Sequence, residues 1–457
     1  MTVLQRLERL PMSGPQWRLL FQGGLGYTFD GMDAALVAFI LPSATEVFSL
    51  SSAQTGLLGS SVLIGYLFGA LSAGILGDLI GRKQVMIWAL GIYAVASIVA
   101  ALSPSWGFLF WARVVAGFGT GAESAIIAPF LSEFVSGRYR GRFIGSLAGF
   151  FSFGFVLAAL LGYFIVPNVP EGWRVVQVIS ALPIVMILWW RRSLPESPRW
   201  LLEHDRPEEA EQVVSGFEEE IEQRTGASLP PVEEVHVPPA RSAPAGSVFA
   251  NLLTLWRGTL ARISASTWAI WFAITFSYYG FFTWIPSLLV EQGYSIADSF
   301  AFSIAIYVAQ IPGYYSAAFI GEKLDRKWTI GAYLAGGAVA ALLMSTADTP
   351  TEIIAFGVML SFFMNGTYAA VYSYTPEVYP TAVRSTGMGA ASAFGRVGGI
   401  LAPIAIGLAY GSIGFEGVFV MTTAVLAAGV LAVIVFGLST KGRTLEDISA
   451  EELGTRA

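Results

Sequence analysis

The chain has 457 residues, of which 54% are hydrophobic and only 13% are charged, and its mean hydropathy is +0.62. A soluble globular protein carries about 25% charged residues, so the composition argues against a water-soluble enzyme, a disordered protein and a nucleic-acid binder. The net charge of −6 offers nothing to a polyanion, and the absence of cysteine excludes disulfides, thiolate chemistry and cysteine-ligated metals.

The N-terminal stretch MTVLQRLERLPMSGPQWRLL is basic and amphipathic. It has no apolar run ending in a small-residue cleavage site, so no signal peptide is expected. Apolar blocks then follow at 20–45, 54–77, 84–102, 106–132, 142–166 and 172–192, and again at 258–290, 297–321, 328–346, 352–376, 383–409 and 415–438. Each block is about as long as a helix needs to cross a ~30 Å hydrocarbon core at 1.5 Å per residue. They are too long and too uniformly apolar for alternating barrel strands. The expected fold class is an all-α polytopic membrane protein with twelve transmembrane helices, here numbered spans 1 to 12.

Residues 193–256 differ. An amphipathic stretch, RPEEAEQVVSGFEEEIEQR, precedes a proline-rich one, LPPVEEVHVPPARSAPAG, and together they read as a cytosolic linker with one or two surface helices. The expected organisation is a six-helix bundle in 1–192, the linker in 193–256, a second six-helix bundle in 257–440 and a cytosolic tail in 441–457. Both histidines, His204 and His236, fall in the linker. No metal site, cofactor site, phosphate loop or catalytic triad can be read, and no enzyme is expected.

Of the 26 Lys and Arg, all but Arg113, Arg174 and Arg396 are read in the termini or the loops after spans 2, 4, 6, 8 and 10. Positive residues stay cytoplasmic, so both termini are expected inside. The two halves also share their punctuation. Gly77-Asp78-Leu79-Ile80-Gly81-Arg82-Lys83 follows span 2, and Gly321-Glu322-Lys323-Leu324-Asp325-Arg326-Lys327 follows span 8. Glu133 and Arg140 close span 4 as Glu377 and Arg384 close span 10, and Arg199 corresponds to Arg443 at the same constant offset. A duplicated six-helix unit points to a transporter with its site between the halves. Asp78, Arg82, Lys83, Glu133, Arg140, Asp325, Arg326, Glu377 and Arg384 are expected to form a gating charge network; the alternative for individual cations is simple anchoring of helix ends.

With these motifs the chain resembles the major facilitator superfamily over nearly its whole length. GDLIGRK is similar to its signature between spans 2 and 3. PESPRWLL and PEVYPTAVR resemble the branch shared by sugar porters, organic ion transporters and aromatic acid/proton symporters. FDGMDAAL in span 1 resembles the aromatic acid symporters, and FSYYGFFTWIPSLL with YTPEVYPTAVRSTGMGAASAFGRVGGILAP resembles bacterial niacin transporters and their vesicle-protein relatives. Span 7 reads WAIWFAITFSYYGFF where sugar porters carry paired glutamines, and GSLAGFFSFGFVLAALLGYF in span 5 lacks the drug-antiporter signature. Both departures point away from sugars and from drug export.

Ionisable groups at membrane depth are functional candidates by default. Counted from the span ends, Asp30 lies roughly 15 Å and Asp33 roughly 20 Å up span 1, and Arg113 roughly 10 Å below the opposite face on span 4. Asp33 and Arg113 therefore share a depth and can pair, as the resemblance to sugar/proton symporters also implies. A carboxylate beside Arg113 stays ionised, and parted from it in a dry site it takes up a proton. Asp33 and Arg113, with Asp30 and Glu123 behind them, are the expected proton-coupling residues. A static ion pair is the alternative for Asp33–Arg113, and a helix-packing hydrogen bond for Glu123.

Arg396, in GRVGGILAP, has no acidic partner on its own helix, and a guanidinium can grip a carboxylate bidentately. The resemblance to organic-anion transporters implies that Arg396 anchors a substrate carboxylate; pairing with a span-1 Asp or a carbonyl is the alternative. Phe29, Trp268, Trp271, Tyr278, Tyr279, Tyr368 and Tyr372 offer stacking surfaces, and Gln310 and Asn365 offer amide contacts. Pro286, Pro312 and Pro403 are expected to kink their helices, with helix-end punctuation the alternative for Pro286.

The expectation is a proton-coupled plasma-membrane importer of a small aromatic monocarboxylate, niacin first, working by alternating access as a monomer. Its partners are the substrate, protons and the lipid bilayer. A sugar/proton symporter or organic cation carrier of the same branch is the alternative, and a non-transporting receptor or scaffold is the alternative of another class.

Overall fold

A computed structural model describes residues 3–226, 228–231, 245–380 and 383–439. Among these, every regular element is helical. The spans are Gly14–Phe48, Ser52–Ile80, Arg82–Ala101, Trp106–Ser132, Gly137–Ile165 and Gly172–Ser193, then Gly258–Glu291, Ile296–Gly321, Arg326–Ser345, Pro350–Val378 and Arg384–Phe436, the last holding spans 11 and 12. They divide at Gly414, whose φ of 60° and ψ of −165° no residue with a Cβ adopts readily. Most helices overrun the apolar blocks. Span 1 has 35 residues, about 50 Å at 1.5 Å each, so its ends project beyond a ~30 Å core.

Side-chain caps mark some of the helix starts. The Ser105 hydroxyl accepts from the Phe108 amide, and Thr349 and Glu352 form a capping box at span 10. Proline sets two of the breaks. Span 6 parts into Gly172–Ser180 and Ile184–Ser193 around Pro183, and span 8 parts at Ala309 just before Pro312, which has no N–H to give the ladder. Pro286 and Pro403 lie inside unbroken helices.

The chain forms two compact units. One comprises Met1–Leu36 with Ser61–Ala240, the other Val37–Ser60 with Arg241–Ala457. In the first, the linker's opening part is built in. Helix Pro207–Thr225 buries Ala210, Val214, Phe217 and Ile221, positions spaced for one helical face. Val214, Phe217 and Ile221 pack with Leu7, Leu10, Phe130 and Phe134 in one apolar cluster. Arg6 and Arg9 reach Glu218 at 2.6 and 2.7 Å. Burial alone would raise the Glu218 carboxyl, but the hydrogen bonds from these arginines outweigh it and hold the group below its ordinary 4.5. The proline-rich stretch with His236, and the tail with Arg443, lie outside the described residues.

In the second unit, residues 37–60 contribute the segment where spans 1 and 2 meet. The Ser60 hydroxyl donates to the Ile400 carbonyl at 2.7 Å, and Phe39 sets its edge against Phe300 and Tyr307. The Trp284 indole donates to the Pro403 carbonyl at 3.1 Å, tying span 7 to span 11.

Candidate functional site

The first unit gathers charge at mid-span. Asp30 and Asp33 are three residues apart on one helix, so they share a face. Arg113 Nη2 donates to Asp33 Oδ1 at 2.7 Å and to the Asp33 carbonyl at 3.1 Å, and both side chains are fully buried. Asp30 and Glu123 are buried too, and none of their four carboxyl oxygens has a hydrogen-bond partner among the described residues. Asp33 Oδ2, Arg113 Nε and Arg113 Nη1 are likewise unpartnered. Asp30 lies within electrostatic reach of both Glu123 and Asp33. These four buried groups form one charged cluster, in which Asp33 is the carboxylate bonded to the guanidinium among the described residues. Tyr93 borders it and fixes span 3 to span 6 through a 2.5 Å hydrogen bond to the Ser180 carbonyl. Phe29 is partly buried against the apolar cluster of this same unit.

The second unit gathers rings instead. Tyr278 stands edge-on to Tyr279 and Tyr368, at centroid separations of 5.2 and 5.0 Å. Trp271 stands edge-on to Tyr372 at 4.9 Å, and Tyr368 stacks with Tyr372 at 6.2 Å. The polar edges are held: Tyr278 donates to Gln310 Oε1 at 2.9 Å, Tyr368 to Thr275 at 3.1 Å, and the Trp271 indole to Thr375 at 2.9 Å. Gln310 Nε2 is buried and has no partner among the described residues, so it is a donor awaiting an acceptor. The Asn365 amide nitrogen is turned back to the Ser361 carbonyl of its own helix at 3.0 Å. Trp268 stands apart, against Phe394 and Trp256.

Arg396 is half-buried on span 11. Its neighbours Gly395, Gly398 and Gly399 press directly on Trp271, Phe272, Thr275 and Tyr279 of span 7, where any Cβ would crowd them. That close approach brings the guanidinium into the electrostatic range of Tyr368. A cation, an aromatic wall and an unsatisfied amide donor thus occur within one unit.

The helix-end motifs form matching pairs. Arg82 pairs with Glu133, and Arg326 with Glu377, at equivalent places in the two repeats. Ser197 adds a hydrogen bond to Glu133, and Ser439 one to Asp325, which also caps the Lys327 amide at 2.8 Å. Lys83 engages Glu196 through its amide and the Arg191 carbonyl through its ammonium at 3.1 Å. Asp78 leaves its carboxylate exposed and uses only its carbonyl, which accepts from the Trp200 indole at 3.1 Å. Arg384 donates to the Tyr379 carbonyl at 3.4 Å. Arg140 takes a partner that spacing did not point to: Glu8, at 3.1 Å. Sequence reasoning also passed over Glu196, Ser197, Tyr93 and Thr275. The first two lie inside PESPRWLL and were within reach of a motif reading, whereas Tyr93 and Thr275 carry no local signal.

Comparison with known proteins agrees with this architecture. Residues 23–451 match the family described as "Sugar (and other) transporter". The niacin transporter NiaP of Acinetobacter baylyi is 38% identical, covering 98% of this chain and 100% of that protein. The 4-hydroxybenzoate transporter PcaK of Pseudomonas aeruginosa is 29% identical, covering 94% of each. Among solved structures, the inward open conformation of the xylose transporter XylE from E. coli superimposes with a TM-score of 0.75 at 16% identity, over 96% of this chain and 100% of that one.

Proposed function

Because the chain belongs to the sugar (and other) transporter family of the major facilitator superfamily, and is a multi-pass membrane transporter, we propose that it imports a small aromatic monocarboxylate, niacin first, together with protons. It does so by alternating access across the plasma membrane, as a monomer with both termini in the cytoplasm. The observation that carries this reading is the placement of Arg396 beside the Trp271–Tyr368–Tyr372 ring cluster.

Arg396 takes the substrate carboxylate, with two parallel N–H donors matching its two oxygens. The ring lies among Trp271, Tyr278, Tyr279 and Tyr368, each good contact contributing about 0.5–1.5 kcal/mol. Gln310 Nε2 donates to a ring nitrogen, and a hydroxyl could take the same place in a hydroxylated acid. Proton coupling belongs to the other unit. Asp33 alternates between its pair with Arg113 and a protonated state, while Asp30 and Glu123 relay the proton. The 38% identical niacin transporter supports the substrate, and the 4-hydroxybenzoate transporter relative favours a hydroxylated aromatic acid as second choice.

Uptake of labelled niacin into right-side-out vesicles tests the proposal. Acidifying the outside should accelerate uptake, Asp33→Asn should abolish that acceleration, and Arg396→Ala should abolish uptake. Uptake that ignores the pH gradient and survives Arg396→Ala rejects it. Competition by sugars or quaternary amines, with no competition by aromatic acids, would instead favour a sugar or organic cation carrier.

A further inference from the structure

The N-terminal helix Val3–Glu8 has no role in the site described above, yet each of its faces is used. Leu7 and, just beyond the helix, Leu10 are buried in the apolar cluster of the first unit. Arg6 and Arg9, one turn apart, hold Glu218, and Arg6 also reaches Glu211 at 3.2 Å. Glu8 is thereby delivered to the junction of spans 4 and 5. Its Oε2 accepts from the Gly137 amide at 2.6 Å, at the first residue of span 5. Its Oε1 pairs with Arg140 at 3.1 Å and faces Arg199 at 3.8 Å. Arg140 in turn donates to the Ser132 and Val135 carbonyls at 3.1 and 3.2 Å, where span 4 ends.

A carboxylate at the start of one helix and a guanidinium at the end of the preceding one both oppose the local helix dipole, and here the two are bonded to each other. The stitch therefore fixes the end of span 4, and span 4 carries Arg113 and Glu123. Its carboxylate is not repeated at the corresponding position of the second repeat. There the helix Ala245–Thr254 precedes span 7 as Val3–Glu8 precedes span 1, but Leu252 stands at the position corresponding to Glu8.

We propose that Glu8 is a positioning residue of the transport cycle: the N-terminal helix is a strap whose carboxylate pins the junction of spans 4 and 5 and so sets how fast the first unit completes each turnover. This rests on the transport reading for its kinetic consequence but not for its structural one. Two measurements separate them. The chain contains no cysteine, so Ser136→Cys, at a buried position inside the junction, gives a single reporter. Its alkylation by a maleimide should accelerate about fivefold on adding Glu8→Gln, the change expected for losing a partly buried ion pair, and Glu8→Asp should restore most of the protection. In niacin uptake, Glu8→Gln should change the maximal rate by a similar factor while leaving KM and the melting temperature near those of the parent. Unchanged alkylation overturns the strap. Faster alkylation with an unchanged maximal rate overturns its kinetic role, as does a rate that falls only together with the melting temperature. A parent protein that takes up no niacin rejects the substrate reading alone, because the alkylation result still decides whether Glu8 pins the junction.

Discussion

The two repeats keep the same frame and divide the chemistry. At the helix ends one ion pair recurs, Arg82–Glu133 in one and Arg326–Glu377 in the other. At mid-span their buried polar groups differ. The first unit buries Asp30, Asp33, Arg113 and Glu123, and the second buries Trp271, Tyr278, Gln310 and Asn365. The repeated pairs hold helix ends together, while the interiors differ: one unit buries a charged cluster and the other a cluster of rings with amide groups. A buried charge cluster needs dry walls and an opposite charge; a ring-binding wall needs polarisable faces with their hydroxyls and N–H groups already satisfied. Two units can meet both demands without compromise.

The largest test of this division compares the two arginines within the spans. Arg113→Ala leaves Asp33 without its counter-charge in a fully buried place, so it should destabilise the protein by about 3–5 kcal/mol and abolish uptake. Arg396→Ala should abolish uptake with little change in thermal unfolding, since Arg396 is only half-buried. Equal loss of melting temperature in the two variants would break the comparison.

A smaller effect is expected inside the ring cluster. Tyr278→Phe removes the hydrogen bond to Gln310, about 1 kcal/mol, and should raise the KM for niacin about fivefold while leaving the pH profile of uptake unchanged. A shifted pH profile would mean that the second unit also handles protons. Smaller again are the repeated pairs. Arg82→Ala and Arg326→Ala each remove one partly exposed ion pair, so each should lower stability by about 0.2–1 kcal/mol, and by the same amount in both halves. A tenfold difference in uptake between these variants would show that the pairs have also diverged.

The least effect concerns the strap. Glu218 is held below its ordinary carboxyl value, so its contribution is present above about 4.5, its unfolded value, and is lost as pH falls through its lower folded value. Hydrogen exchange at residues 3–10 should therefore quicken on acidification in that range before the spans respond. The Glu218→Gln variant should already exchange faster at neutral pH, with a flatter dependence.

Much of the frame was legible because a bilayer constrains sequence so strongly. An apolar run of about twenty residues has few other uses, so twelve spans could be counted before any coordinate. Their ends could not, since a helix continues into water once started; span 5 begins at Gly137, not near 142. Depth arithmetic put Asp33 and Arg113 at one level, and they meet. It said nothing of Tyr93 on Ser180 or Thr275 on Tyr368, because which neighbour a side chain reaches depends on the rotation of each helix about its axis.

The constant spacing of charged positions told which residues correspond, not which ones touch. Arg140 was grouped with Glu133 by sequence proximity, yet Glu133 holds Arg82 and Arg140 holds Glu8. The sequence by itself settled how many spans there are and which residue types lie within them, because these are local properties of a chain in hydrocarbon. Partner choice belonged to the tertiary structure alone. Close approach through Gly395, Gly398 and Gly399, the docking of Val3–Glu8 on Pro207–Thr225, and the pairing of Asp33 with Arg113 all join residues far apart in the chain. Such contacts are fixed by how whole helices pack, and no window of sequence contains that information.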